Sequence, residues 1–290
     1  MFLHVLVTND QFQWTFIVTK VMFAPPVLDG LRGTLVIMFA AMTLGAGLGI
    51  GLAVMRLSPN PILRGVAFVY VWFFRAVPRL VLAVLFGNLG ILWPRLELGL
   101  PFDHQLGTLL DVDLRMRFWG IDSRELLTGM VAGILALGLS EAAYMAEIVR
   151  AGVLSVDSGQ AEAAQALGLT RRQSLRRIVL PQAMQAILPP TGNETIAMLK
   201  DTALVAYTPV TAELFFQLQA ISARTFQVFP VLVTACLWYL ILSSLLMIGQ
   251  HYLERHFSRG YGTHDTAATS TPLPSPDMVL ERHIMAEDRR

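Results

Sequence analysis

Five polar residues lie in or at the edge of apolar stretches, where charge is costly: Asn193, Glu194, Lys200 and Asp201 in one, Arg75 in another. An ionised side chain at the bilayer centre costs roughly 2.5–3.5 kcal/mol on insertion scales, so such groups face a cavity or a partner. Glu194 and Asp201 are two helical turns apart and share a helix face; Asn193 and Lys200 share the adjacent one. Two readings stay open. These residues either line a path for a zwitterion, Arg75 or Lys200 receiving its carboxylate and Glu194 or Asp201 its ammonium, or they neutralise one another between helices or near the headgroups.

Other chemistry finds little support. No HExxH occurs, and the nearest GxS, Gly138–Ser140, runs on into Glu141 and Ala142 rather than a glycine elbow. His4, His104, His251, His256, His264 and His283 are scattered over ends and loops, so no metal site is expected. Cys236 is the single cysteine and builds neither an internal disulfide nor a zinc site. The only lysines, Lys20 and Lys200, stand outside any GxxxxGK(S/T) loop, so no Walker-type ATP site is expected. A net charge of +1 gives no reason to expect nucleic acid.

The elements that must position these residues are membrane spans. Of 290 residues, 54% are hydrophobic and 15% charged, against roughly 25% charged in soluble domains, and mean hydropathy is +0.55. A span needs roughly 20 apolar residues. Leu31 to Met55 forms the first, with Gly45, Gly47, Gly49 and Gly51 at GxxxG spacing that permits close helix approach. Ile62 to Trp93 is too long for one straight span and reads as one helix broken at Arg75 to Arg79. A polar segment, Pro94 to Glu125, precedes a third span, Leu126 to Val149, and two more follow around Ala186 to Val210 and Phe229 to Ile248. The expected fold is an all-α, polytopic bundle of about five transmembrane helices.

Arg56 and Arg64, then Arg150, Arg171, Arg172, Arg176 and Arg177, then Arg255 and Arg259 fall on one side of five spans. Basic loops stay cytoplasmic, which puts the N-terminus outside and the C-terminus inside. The start, MFLHVLVTNDQFQW, lacks the basic region of a cleaved signal. Gln11 to Pro26 is suited to lie along the outer interface. Trp72, Trp93, Trp119 and Trp238 are expected as interfacial or packing residues. The tail from 261 to 290, rich in Thr, Ser and Pro, is expected to be disordered.

The most polar ordered piece is the cytoplasmic loop 151–185. Asp157 with Gln160 and Thr170 with Gln173 have capping-box spacing, alanines fill the first helix, and Gly168 stands as its helix-ending residue. Leu180 before Pro181 is expected to end the second helix. From spacing alone, this helix–turn–helix is either a solvated hairpin held at an anionic membrane surface by its arginines or a docking element.

Its residues say more. Glu162, Ala163, Ala164, Gly168, Ile178, Leu180 and Pro181 resemble, at the same spacing, the EAA loop of bacterial ABC importer permeases. FFRAVPRLVLAVLF (73–86), LSEAAYMAEIVRAGVLSV (139–156) and GNETIAMLKDTALV (192–205) resemble segments of that family's polar amino-acid branch. The chain departs from it at Ala76 and Val77, at Arg79 where the family has an apolar residue, in the longer outer segment and in the tail.

The resemblance implies an importer's membrane subunit for polar amino acids in the bacterial cytoplasmic membrane, with 31–260 as the permease domain after an outer segment 1–30. It implies that the seven loop residues couple to a separate cytosolic ATPase dimer, which uses the ATP, while this chain binds no cofactor and is not an enzyme. Further implied partners are a second permease chain, the same or related, and an extracytoplasmic amino-acid-binding protein. A permease for an opine, a sulfur amino acid or a small peptide is the nearest alternative, a self-contained secondary transporter a more distant one.

Overall fold

A computed structural model describes residues 8–92, 95–99, 117–122 and 129–258. The tail 261–290, Trp93 and most of the polar segment from Pro94 to Glu125, with the expectations attached to them, lie outside the described residues. Residues Met1–Glu254 group as one compact unit, separate from Arg255–Arg290, and the site lies within the first.

Short helical turns from Asp10 to Val21 lead into α1, Pro25–Leu57. This helix starts earlier than its apolar run because Pro25 and Pro26 occupy its first turn, where a missing N–H costs nothing. Helix α1 is apolar on all sides, but one line of small residues, Gly30, Gly33, Ala41, Gly45, Gly49 and Ala53, is buried. Gly45 and Gly49 face α4, Gly129–Leu154, in the most extensive helix pairing among the described residues, whereas Gly30 and Gly33 face Leu214 and Ala212. A Cβ on Gly45 would stand 2.6 Å from Cβ and Cγ of Glu141, whereas Gly47 and Gly51 have nothing within 4 Å. Among the described residues of this chain, the 45/49 pair of the interleaved GxxxG motifs is therefore the one that forms a helix–helix contact.

Helices α2, Pro61–Ala76, and α3, Arg79–Gly87, are interrupted within the stretch where a break is expected. Val77, forced extended by the following proline (φ −87°, ψ 128°), separates them, and the pair bends by 97°. Exposed Ile62, Val66, Val69 and Trp72 give α2 an apolar outer surface suited to lipid. Beyond α3 the polar segment before α4 contains an antiparallel ribbon, β1 Arg95–Gly99 with β2 Arg117–Asp122, an addition to the helical bundle that the polar composition did not suggest.

After α4 come two short helices, α5 Ser158–Ala166 and α6 Arg171–Ser174, then α7 Leu180–Asp201. The second helix does not stop at Leu180. A π-turn over Leu175–Val179 carries α6 straight into α7. Pro181 can donate to no carbonyl, and widening the preceding turn accommodates its ring; Leu180 N–H reaches Leu175 O five residues back, and Gln182 Nε2 donates to Ile178 O at 3.0 Å. Helix α7 tolerates Pro189 and Pro190 in its interior, with Thr191 Oγ1 donating to Ile187 O at 2.7 Å and Gln250 Nε2 reaching Pro189 O at 3.3 Å.

A 3₁₀ turn, Thr202–Tyr207, leads to α8, Leu214–Thr225, absent from the sequence expectation, and to α9, Val228–Ser258. Among the described residues, three helices, α1, α4 and α9, are long and apolar enough to cross a membrane, or up to four elements if the bent α2–α3 pair counts as one span. Helix α7 has 22 residues, but its glutamines, prolines, threonines and Asn193, together with Glu194, Lys200 and Asp201, leave it too polar for that group. Buried Glu213 ties three helices together at the start of α8. It accepts from Phe216 N–H, Thr34 Oγ1 (3.0 Å each) and the Tyr239 hydroxyl (2.8 Å). Trp238 is a packing residue, its Nε1 donating to Met22 O at 3.1 Å.

Candidate functional site

Two constellations carry functional geometry: a cluster of charge inside the bundle and the hairpin that follows α4. The cluster is built on Arg79, the first residue of α3, directly after the break at Pro78. Its guanidinium meets carboxylates from two other helices. Nη2 donates to Glu141 Oε2 of α4 at 3.0 Å and to Glu194 Oε2 of α7 at 3.2 Å, and Nη1 donates to Asp201 Oδ2. The Tyr144 ring lies under Arg79, 4.5 Å from Cζ to centroid, and the same ring lies 5.4 Å from Cζ of Arg75. A guanidinium binds carboxylates through its planar fork and stacks on aromatic faces, so it suits a junction of three helices better than an ammonium does.

Burial is graded across the acids. The Glu141 side chain is 0% exposed, Glu194 25%, Asp201 29%, and that of Arg79 12%. Glu141 stands near the midpoint of α4, 12 residues from Gly129, about 18 Å along the axis at 1.5 Å per residue. Glu194 and Asp201 thus share a face, as their spacing requires. Of the other residues expected on a pathway, Asn193 turns toward α9, accepting from Gln250 Nε2 at 3.2 Å. Lys200 is exposed, and Arg75 is exposed beside Tyr144; neither forms an ion pair among the described residues. The residues that complete the cluster, Arg79 and Glu141, were visible as a charge in an otherwise apolar motif and a charge in mid-span.

The hairpin is shaped by local rules. Asp157 caps α5 by accepting from Gly159 N–H at 2.7 Å, so Gln160 is not needed for a reciprocal box. At the other end Gly168 adopts φ +82°. Its N–H donates to Gln165 O at 2.9 Å, and that of Leu169 to Ala164 O at 3.1 Å, the paired bonds of a Schellman ending. Thr170 and Gln173 form the full reciprocal box that opens α6: Gln173 N–H donates to Thr170 Oγ1 and Thr170 N–H to Gln173 Oε1. Small buried residues, Ala164 and Ser174, let the two arms meet.

The outer surface of the hairpin is unpartnered. Leu167, Leu175 and Leu180 are exposed at 82%, 48% and 41%, and Arg172, Arg176 and Arg177 with Gln173 line an open concavity. Glu162, Ala163 and Pro181 are exposed, whereas Ala164 is buried and Ile178 half-buried. Mixed apolar and cationic exposure on a capped, rigid turn is what a docking element needs.

Comparison with known proteins adds four findings. The family described as "Binding-protein-dependent transport system inner membrane component" matches residues 45–259. Among curated relatives, the arginine transport system permease protein ArgU of Corynebacterium glutamicum is 40% identical over 277 residues, covering 95% of this chain and 82% of the relative. The probable glutamine ABC transporter permease protein GlnM of Bacillus subtilis is 32% identical, covering 81% and 94%. A crystal structure of an amino acid ABC transporter with histidines matches with a TM-score of 0.65 at 30% identity, covering 83% of this chain and 98% of that one.

Proposed function

The chain belongs to the inner-membrane components of binding-protein-dependent transport systems, and from that premise we propose that it is the permease subunit through which a polar amino acid enters the cell. Transport is driven by ATP hydrolysed on a separate cytosolic ATPase dimer, since neither lysine of this chain lies in a phosphate-binding loop. The observation that carries the reading is the hairpin: Glu162, Ala163, Ala164, Gly168, Ile178, Leu180 and Pro181 lie on a capped helix–turn–helix with exposed leucines and arginines at its surface. A second permease chain, the same or related, completes the path, and an extracytoplasmic binding protein delivers the solute. The N-terminus lies outside, and the permease domain spans 31–260.

Coupling follows from continuity of structure. The hairpin runs through the π-turn into α7 without a flexible joint, and α7 carries Glu194 and Asp201 to Arg79. A motor that holds the hairpin differently with and without ATP biases α7 between two positions. The charge cluster is where that displacement meets the bent α2–α3 pair.

Co-expression with candidate ATPase subunits tests the reading. Wild type is expected to retain its ATPase through detergent purification. Gly168→Val, a β-branched residue at φ +82°, is expected to lose it while still inserting in the membrane. Equal capture by both, or no capture by either with every candidate partner, refutes docking through the hairpin and favours a self-contained carrier.

A further inference from the structure

The charge cluster holds more acid than its structural role requires. Three carboxylates, Glu141, Glu194 and Asp201, share one guanidinium, a formal charge of −2 when all are ionised. Glu141 carries the sharpest sign of an unfilled place: its Oε2 is on Arg79, but its Oε1 is buried with no hydrogen-bond partner, on a side chain 0% exposed. A buried unpartnered carboxylate oxygen is expensive. A purely structural ion pair is balanced by one acid, or by two acids and two bases.

Three further observations give the site a direction. The exposure of Glu194 and Asp201 opens one side of the cluster. The Tyr144 ring, faced by both Arg75 and Arg79, offers a cation-binding surface beside the acids. Arg79 itself is the first residue of the nine-residue helix α3, next to the 97° break, so a rotamer change of its long side chain, or a small movement at the break, withdraws the guanidinium while Leu82 and Ala83 keep α3 packed in the bundle. Its position is occupied by an apolar residue in the resembled motif, which makes the arginine a feature of this chain rather than of the architecture.

We propose that Glu141, Glu194, Asp201 and Tyr144 form a mid-span subsite for a cationic group of the solute, a guanidinium or ammonium, and that Arg79 is a resident cation that fills it between transport events. The solute's cation displaces Arg79, takes the acids and meets Glu141 Oε1. Return of Arg79 then competes the solute off toward the cytoplasm. The substrate class is the cationic amino acids, and acidic ones are rejected by the excess negative charge. This inference rests on the permease reading above.

The test uses the full chain with its ATPase in lipid nanodiscs and measures binding of L-arginine, L-lysine, L-glutamine and L-glutamate by calorimetry. L-arginine and L-lysine are expected to bind at least about tenfold more tightly than L-glutamine, with L-glutamate weakest. Glu141→Gln is expected to weaken L-arginine about tenfold. Arg79→Leu is expected to tighten it severalfold, because a competitor that occupies the site lowers apparent affinity by the fraction of sites it fills, while Arg79→Lys stays near wild type. A gain of affinity on removing an arginine is not produced by loss of a structural ion pair. L-arginine binding unchanged in Glu141→Gln, weakened in Arg79→Leu, or no tighter than L-glutamate overturns the proposal; should Arg79→Leu not assemble, Glu141→Gln decides. Uptake by energised cells producing the complex separates the two levels of failure. Accumulation of none of the four amino acids refutes the amino-acid reading itself, whereas accumulation without a preference for the cationic pair refutes only the subsite.

Discussion

The α1–α4 interface makes a prediction that distinguishes two glycines only two residues apart. Substituting Gly45→Ala places a Cβ 2.6 Å from Cβ and Cγ of Glu141. Carbon atoms rest at about 3.5–4.0 Å, so the helices must part by about 1 Å, along a contact that α1 makes over most of its length. Overpacking of this kind costs about 1–3 kcal/mol, partly offset by about 1 kcal/mol of helix propensity gained on replacing glycine with alanine. Gly47→Ala meets nothing within 4 Å and keeps the propensity gain alone. The two variants are therefore expected to differ by about 1–3 kcal/mol, Gly47→Ala the more stable. Reversible unfolding in mixed micelles with increasing SDS, read by tryptophan fluorescence, measures the difference. Equal midpoints for the two variants, or a less stable Gly47→Ala, refute the argument that the 45/49 pair is the buried face. Since the displaced atoms belong to Glu141, Gly45→Ala is also expected to impair L-arginine binding more than Gly47→Ala does.

Glu213→Ala removes the acceptor for Thr34, Tyr239 and the Phe216 N–H; at about 1–3 kcal/mol per buried group left unpaired, the loss is expected to exceed that of any single apolar truncation in α8 when measured by the same unfolding assay. In a Cys236→Ser background, a single cysteine at Gln165 is expected to react with an impermeant maleimide only in inverted membrane vesicles, and one at Asn9 only in intact spheroplasts. The opposite labelling pattern refutes the assigned orientation. Gln250→Ala is expected to loosen α9 from the proline-interrupted part of α7, through loss of the bonds to Pro189 O and Asn193 Oδ1, and to lower stability by about 1–2 kcal/mol, with Gln250→Glu no better because it supplies no donor.

Features set by neighbours in the chain were legible in the amino-acid order. Thr170 and Gln173 cap a helix wherever they stand three apart at its start, Gly168 ends one because only it enters φ +82° without strain, and Pro78 breaks a span by forcing Val77 extended. The spacing of Glu194 and Asp201 fixes their common face for the same reason. Each of these is decided over one or two turns of backbone.

Tertiary structure decided whatever depends on partners far along the chain. Sequence alone offered two interleaved glycine pairs, and only docking against α4 selects Gly45 and Gly49. It marked Pro181 as a helix end, yet the continuing helix is held by a widened turn and by Gln182, because the packing of α7 on α4 outweighs a local stop signal. On one of its two readings it offered Arg75 or Lys200 as the cation beside Glu194 and Asp201; the cation that meets those acids is Arg79, which the bend at Val77 and Pro78 delivers to carboxylates 62, 115 and 122 residues away. The choice among three cations is made by the direction in which a short helix leaves a proline, and no local pattern of residues encodes that direction.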